Sequence, residues 1–258
     1  MSLKAVLWDV DGTLAETERD VHRVAFNRAF VSCGLPWHWS EAHYGELQAI
    51  NGDRERLLRD MVGRPDAPRS ASRRDALARR VRDAKIAMYP DLLRRARLPL
   101  RDGVMSLMQE CRAQGVRMGI ATTSSRVCVE ALLEYHLGSG WRGWFDALVC
   151  GGDVRRGKST PELYVRALLQ ARVCPSHAVA IEDSPVGASA ARAVDMPVVL
   201  ARSSYFVDSF FPRVTAIGPG LDQRAGWRPN VLTDDAGLAG IRLADIDRWV
   251  AQARRPHA

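Results

Sequence analysis

Apolar residues fall along this chain in two rhythms. Short, nearly unbroken apolar runs occur at residues 4–10, 116–122, 145–150, 178–182 and 197–201. Runs of that length, apolar at successive positions, suit strands buried on both faces of a parallel sheet. Between the later runs lie helical periodicities at residues 104–114, 127–137, 161–171 and 185–194. Gly115 fits the end of the first of these helices. Pro161 and Pro185 fit the first turns of two others. Strand and helix alternating from residue 100 onward predict an α/β fold with a doubly wound parallel sheet.

Residues 17–97 break the alternation. Segments 20–33 and 53–61 are amphipathic at helical spacing, and 72–88 is rich in Ala and Arg. Residues 63–70, with Pro65 and Pro68, read as a loop. The expectation is a Rossmann-like core domain of residues 1–16 and 98–258, interrupted after its first strand by a helical cap domain of residues 17–97. Linkers are expected near 14–16 and 98–103. The stretch 245–254 is read as a short surface helix.

Composition changes this picture little. The chain has 258 residues, 47% hydrophobic and 26% charged, an ordinary globular balance. No apolar run approaches the ~20 residues of a membrane span, and residues 1–4 do not resemble a secretion signal. These features predict a cytoplasmic protein, or a stromal one had a transit peptide been removed, with no membrane partner. The cysteines at 33, 111, 128, 150 and 174 are odd in number and form no CxxC pair. That argues against disulfides and a zinc site. The net charge of +7 raises nucleic-acid binding, but basic residues are scattered without an aromatic-and-basic module, so no nucleic-acid partner is expected. Of the 37 basic residues only Lys4, Lys85 and Lys158 are lysine.

The chemistry gathers where the strands end. Ligands of open α/β sheets bind beyond the carboxyl ends of the strands. The first strand ends in Asp9-Val10-Asp11-Gly12-Thr13, the second in Thr122-Thr123-Ser124, and the fourth in Glu182-Asp183-Ser184, while Asp153 and Lys158 follow the third. Carboxylates crowded into one cleft repel each other unless a cation joins them. Mg²⁺, bound by carboxylates and phosphate oxygens, relieves that repulsion. Taken singly, Glu182-Asp183 also fits a helix N-cap and the first motif also fits a bare turn.

These four segments resemble the signature motifs of the haloacid dehalogenase-like superfamily. The resemblance implies that Asp9 attacks phosphorus as nucleophile and that Asp11 acts as general acid and base. It implies that Thr122 and Lys158 hold the transferring phosphoryl, and that Asp9, Asp11 (through its carbonyl), Asp183 and Glu182 serve Mg²⁺. The second aspartate, Asp11, distinguishes phosphoryl transfer from dehalogenation. In the inserted region, Leu14 to Glu18, His22 to Asn27, Tyr44 to Leu47 and Gly52 to Arg56 resemble CbbY-type sugar-bisphosphate phosphatases, which are related to β-phosphoglucomutase. That likeness places Glu18, His22, Tyr44 and Arg54 against the substrate from the cap, with Thr123 and Ser124 against it from the core. It implies a monomeric Mg²⁺-dependent phosphatase acting on a small sugar phosphate, xylulose-1,5-bisphosphate first among them. A phosphatase for phosphoglycolate or another small molecule, a phosphomutase, and a non-catalytic relative are the alternatives. The third motif departs from its usual Lys-Pro form at Ser159. Ser125 stands where the mutases carry lysine, with Arg126 as the nearby cation.

Overall fold

A computed structural model of the chain describes residues 2–50, 52–154, 161–231 and 239–254. Six parallel strands form one sheet in the order β3-β2-β1-β4-β5-β6. They are β1 (Ala5–Trp8), β2 (Arg117–Ala121), β3 (Ala147–Val149), β4 (Ala178–Glu182), β5 (Val198–Ala201) and β6 (Ala216–Gly218). Successive residues of each strand face opposite sides, and both sides are covered. Val6, Trp8, Met118, Ile120, Val179 and Ile181 join one apolar cluster, while Ala5, Leu7, Ala121, Ala178 and Ala180 join the other. This explains the unbroken apolar runs. The first cluster is closed by α5 (Val104–Ala113) and α6 (Arg126–Leu137), the second by α7 (Glu162–Ala171) and α8 (Pro185–Arg192). The fold is thus the doubly wound Rossmann-like α/β arrangement that the alternation predicts.

Between β1 and α5 the chain is helical: a π-helical turn over Glu18–His22, then α1 (Arg23–Ser32), α2 (Glu41–Leu47), α3 (Asp53–Val62) and α4 (Ala71–Ala96). These elements make a helical cap. It has a core of its own, built from Phe26, Phe30, Trp37, Trp39, Tyr44, Leu57, Met61 and Val81. Its root does not. Val21, Ala25, Tyr89, Leu92 and Leu93 join the first cluster of the sheet.

Three features differ from the pattern reading. Helix α4 does not stop at residue 88 but runs through Pro90 to Ala96. Burial of Tyr89, Leu92 and Leu93 outweighs the hydrogen bond that proline cannot donate. The final helix, α9 (Leu243–Ala253), is no surface appendage. It buries Leu243, Ile246, Trp249 and Val250, and Trp249 stacks on Trp227 with ring centroids 5.1 Å apart. The sheet also has an edge strand, β6, that the pattern reading omits. All five cysteines are free thiols, as the spacing argument expects. No helix among the described residues is long and apolar enough to cross a membrane.

Candidate active site

The strand order reverses between β1 and β4, and there the site lies. Asp9 follows β1, its amide donating to the Ile181 carbonyl of β4 at 3.0 Å. Gly12 then turns the loop back with a φ of +84°, and its amide donates to the Ala15 carbonyl at 2.8 Å. A side chain here would be strained by that φ, and its Cβ would fall 2.1 Å from the Asp183 carboxylate. Glycine therefore lets the first motif pass directly over the fourth. The buried Thr13 hydroxyl sits 3.3 Å from Asp9 and 3.5 Å from Asp183.

Carboxylate oxygens of Asp9, Glu182 and Asp183 lie within 4.8 Å of one another, all buried. Glu182 is held from below: the Tyr164 hydroxyl donates to it at 2.5 Å and the Ser184 hydroxyl at 3.2 Å. Burial and the Glu182 charge push the Tyr164 phenol well above its usual range, so it stays a donor. The N-cap of α8 is Ser184, which accepts from Gly187 N, so the capping role considered for Asp183 falls to its neighbour. Three hard oxygen donors packed this closely fit a small hard cation and would repel one another without one. The donor set therefore suits Mg²⁺.

Asp11 is oriented differently from Asp9. Its side chain lies outside the acidic cluster and accepts from Thr17 at 2.6 Å, from His22 Nε2 at 2.8 Å and from the Ser124 hydroxyl. Burial would raise its pKa, but His22 beside it and the three hydrogen bonds outweigh burial and hold the carboxylate well below its ordinary range.

These residues open on a small cleft between the core and the cap. Asp9, Asp11, Thr122, Thr123 and Asp183 line it from the core. Glu18 lines it from the cap, together with Gln48 and Arg56. Ser124 and His22 touch Asp11 rather than the cleft wall. Tyr44 is buried behind Glu18, donating to it at 2.5 Å. Lys158 and Ser159 lie outside the described residues. Arg126 pairs with Asp153 at 2.6 Å, away from the cleft.

Arg54 is not among the lining residues. It pairs with Asp75 at 2.5 Å and Glu55 at 2.9 Å on the outer face of α3. The cap's cation in the cleft is Arg56 instead. Two residues along a helix rotate the side chain by about 200°, so Arg54 and Arg56 face opposite ways. Arg56 donates to Ile50 O at 2.9 Å, Glu18 at 3.1 Å, Tyr44 Oη at 3.2 Å and Gln48 Oε1 at 2.8 Å. Burial opposes its charge, but Glu18, Tyr44 and Asp53 more than offset that and raise its pKa. A signal was present in the sequence: Asp53, Arg56, Leu57 and Met61 share a helical face, and that face is the inward one.

A family model described as haloacid dehalogenase-like hydrolase matches residues 3–195. The chain belongs to the haloacid dehalogenase-like hydrolases. Within this hydrolase family it is similar to protein CbbY of Rhodobacter capsulatus, 37% identical over 205 residues that span 80% of this chain and 88% of the relative. The plasmid-borne CbbY of Cupriavidus necator is 35% identical, spanning 88% of this chain and 89% of the relative. Among solved structures, CbbY from Rhodobacter sphaeroides in complex with phosphate superposes with a TM-score of 0.79 at 31% identity, covering 95% of this chain and 99% of that one. A variant of the same protein in complex with xylulose-1,5-bisphosphate superposes with a TM-score of 0.78 at 31% identity, covering 94% and 98%. The chain is accordingly a phosphatase of the CbbY type.

Proposed function

We propose that this CbbY-type phosphatase hydrolyses a small sugar phosphate, xylulose-1,5-bisphosphate first among candidates, through a phosphorylated Asp9. The observation that carries the proposal is the division of labour between two aspartates two residues apart. Asp9 sits in the buried acidic cluster, whereas Asp11 turns to hydroxyl and imidazole donors at the same cleft. An Asp9 oxygen bonds to phosphorus as the bond from phosphorus to the sugar oxygen breaks. Asp11 gives its proton to the departing alkoxide. It then takes a proton from the water that attacks the aspartyl-phosphate, so free Asp9 and inorganic phosphate result. The low resting pKa of Asp11 suits the second step. A phosphate dianion arriving beside it raises that pKa by like-charge repulsion, which favours the protonated form needed first.

Asp9, Asp183 and the Asp11 carbonyl would hold Mg²⁺, with Glu182 assisting. The bound ion would offset charge on Asp9 and on the phosphoryl oxygens. Thr122, and Lys158 by resemblance, take the phosphoryl group. Residues 17–97 serve as a cap over a core of residues 1–16 and 98–258. The cap supplies Glu18 and Arg56 to the sugar end, with Tyr44 behind them. The bisphosphate assignment draws support from the likeness to the CbbY protein that was crystallised with that compound.

The test is phosphate release from a panel of sugar mono- and bisphosphates, with and without Mg²⁺, beside Asp9→Asn. Mg²⁺-dependent release that is lost on chelation and lost in Asp9→Asn is expected. Full turnover by that variant would falsify the mechanism. Isomerisation of a sugar monophosphate without phosphate release would make the chain a mutase, and preference for phosphoglycolate would replace the substrate.

A further inference from the structure

The cleft has two polar atoms that no described residue satisfies. Gln48 caps the C-terminal end of α2 and is 5% exposed, yet it lines the cleft. Its Oε1 accepts from Arg56 at 2.8 Å. A guanidinium can only donate, so this contact fixes the amide orientation: oxygen towards Arg56, nitrogen away. The Nε2 group, with two N–H donors, is buried and has no partner among the described residues. The second atom is the hydroxyl of Tyr205, on the loop after β5. It too is buried without a partner among those residues, in a side chain that lines the same cleft.

Buried donors are nearly always paired in folded proteins, so each unpaired one calls for an explanation, and these two belong to residues that line the cleft. Neither group is needed to hold its own element. The helical end of α2 is closed by backbone, through Gln48 N to Gly45 O at 3.1 Å, and Tyr205 packs by its ring against Tyr44 and Gly45. Glu18 lies beside Gln48 across Arg56, with its charge already matched by that arginine. Both residues line the cleft, one with an acceptor and the other with a donor. A sugar hydroxyl, which can donate to Glu18 and accept from Gln48, answers both.

The geometry points to Gln48, seconded by Tyr205, as a specificity-determining residue that reads hydroxyl oxygens on the sugar, at the end of the substrate away from the phosphate being cleaved. The inference rests on the sugar-phosphate reading above and names which groups enforce it. A site built to hydrogen-bond a hydroxyl rejects analogues that lack it, because its own donors are then left unpaired.

The experiment compares kcat/KM for xylulose-1,5-bisphosphate and the other sugar phosphates of the panel with that for phenyl phosphate, which carries no oxygen at its far end. The readout is the ratio of the best sugar phosphate to phenyl phosphate. Gln48→Glu keeps an oxygen facing Arg56 but removes both N–H donors, and Gln48→Leu removes the whole amide. Tyr205→Phe removes the hydroxyl alone. The ratio is expected to fall about tenfold in either Gln48 variant and severalfold in Tyr205→Phe. A structural role would lower both substrates together, so an unchanged ratio in Gln48→Glu overturns the inference. A wild-type enzyme that prefers sugar phosphates while the variants keep its ratio sinks this inference alone. A wild-type enzyme that neither hydrolyses sugar phosphates nor is inhibited by them with phenyl phosphate as substrate sinks the parent reading as well.

Discussion

Replacing Arg56 by leucine tests whether the cap side of the cleft is built on one ion pair. Arg56 is 8% exposed and has acceptors on four residues: Ile50, Glu18, Tyr44 and Gln48. Leucine fills much of the volume but strands a carboxylate, a phenol oxygen, an amide oxygen and a backbone carbonyl. Removing one partner of a buried ion pair costs about 3–5 kcal/mol. Glu18 retains 17% side-chain exposure on the cleft and keeps its bond from Tyr44, so water can reach it. The loss should therefore lie at the lower end, about 3 kcal/mol. Glu18→Leu alone leaves the guanidinium charged among Tyr44 and Gln48 and should cost a comparable amount. The double variant should recover part of both, giving a coupling energy of about 1–3 kcal/mol. Urea unfolding at neutral pH, followed by circular dichroism and extrapolated linearly, reads all three. A single-variant loss below about 1 kcal/mol, or strict additivity in the double variant, would mean that the pair is solvent-screened and that the cleft wall is held by packing alone.

Asp60 and Gly12 each carry a further prediction. The Asp60 carboxylate accepts from Arg64 at 2.7 Å, Trp39 Nε1 at 2.9 Å and His43 at 2.8 Å; burial opposes its charge, but these bonds outweigh burial and lower its pKa below 3.8. A depressed carboxylate contributes stability that is complete above its unfolded value and lost as pH falls through the folded one. Asp60→Asn should thus lose stability near neutral pH, with the gap to wild type closing below about pH 4; a gap that stays constant in urea unfolding down to about pH 3 would refute the assignment. Gly12→Ala places a Cβ 2.1 Å from Asp183 in a strained φ and must push that carboxylate aside. A shift of about 1 Å at a reacting group costs about 10²-fold, so phosphate release should fall by about that factor in saturating Mg²⁺, and near-normal turnover would show that Asp183 has room to move.

The sheet was legible because its strands are buried on both faces, so that no polar residue interrupts residues 5–8 or 178–181 and the carboxylates begin where the apolar runs end. The same property exposed the four chemical segments. What stayed hidden depends on contacts between distant residues. Strand β6 is three residues long, contains Gly218 and precedes Pro219; it pairs only because β5 offers an open edge. Helix α4 crosses Pro90 because Tyr89, Leu92 and Leu93 find the sheet's core, which propensity cannot register. Helix α9 hides a buried Asp245 that Arg224 pairs at 2.8 Å, so a polar position read as solvent-facing lies inside. In the cap, resemblance marks a segment with two arginines but not the phase of its helix, and so points to Arg54 although Arg56 is the one that lines the cleft. Gln48 and Tyr205 had no local signal: each stands out only through a partner it lacks among the described residues.

The cap meets the core in two physically different ways, and the chemistry divides along the same line. At its root, Val21, Ala25, Tyr89, Leu92 and Leu93 are part of the sheet's apolar cluster, and parting them would return that surface to water. His22 stands at this root, its ring 4.6 Å from that of Tyr89, and reaches Asp11 from there. Thr17 holds the same carboxylate from the start of the cap and Ser124 from the core, so the proposed general acid and base is fixed from three directions. The far side is unlike this. There Glu18, Arg56 and Gln48 face core residues across a polar cleft, and the cap's own apolar cluster lies behind them rather than between cap and core. Among the described residues, Tyr205 bridges it to Tyr44, ring centroids 6.0 Å apart. Separation on that side exposes little apolar surface and costs correspondingly little. The proposed mechanism would thus anchor proton transfer where the two parts are joined by burial, and leave substrate reading to the edge where they are joined by polar groups that a sugar's hydroxyls can replace.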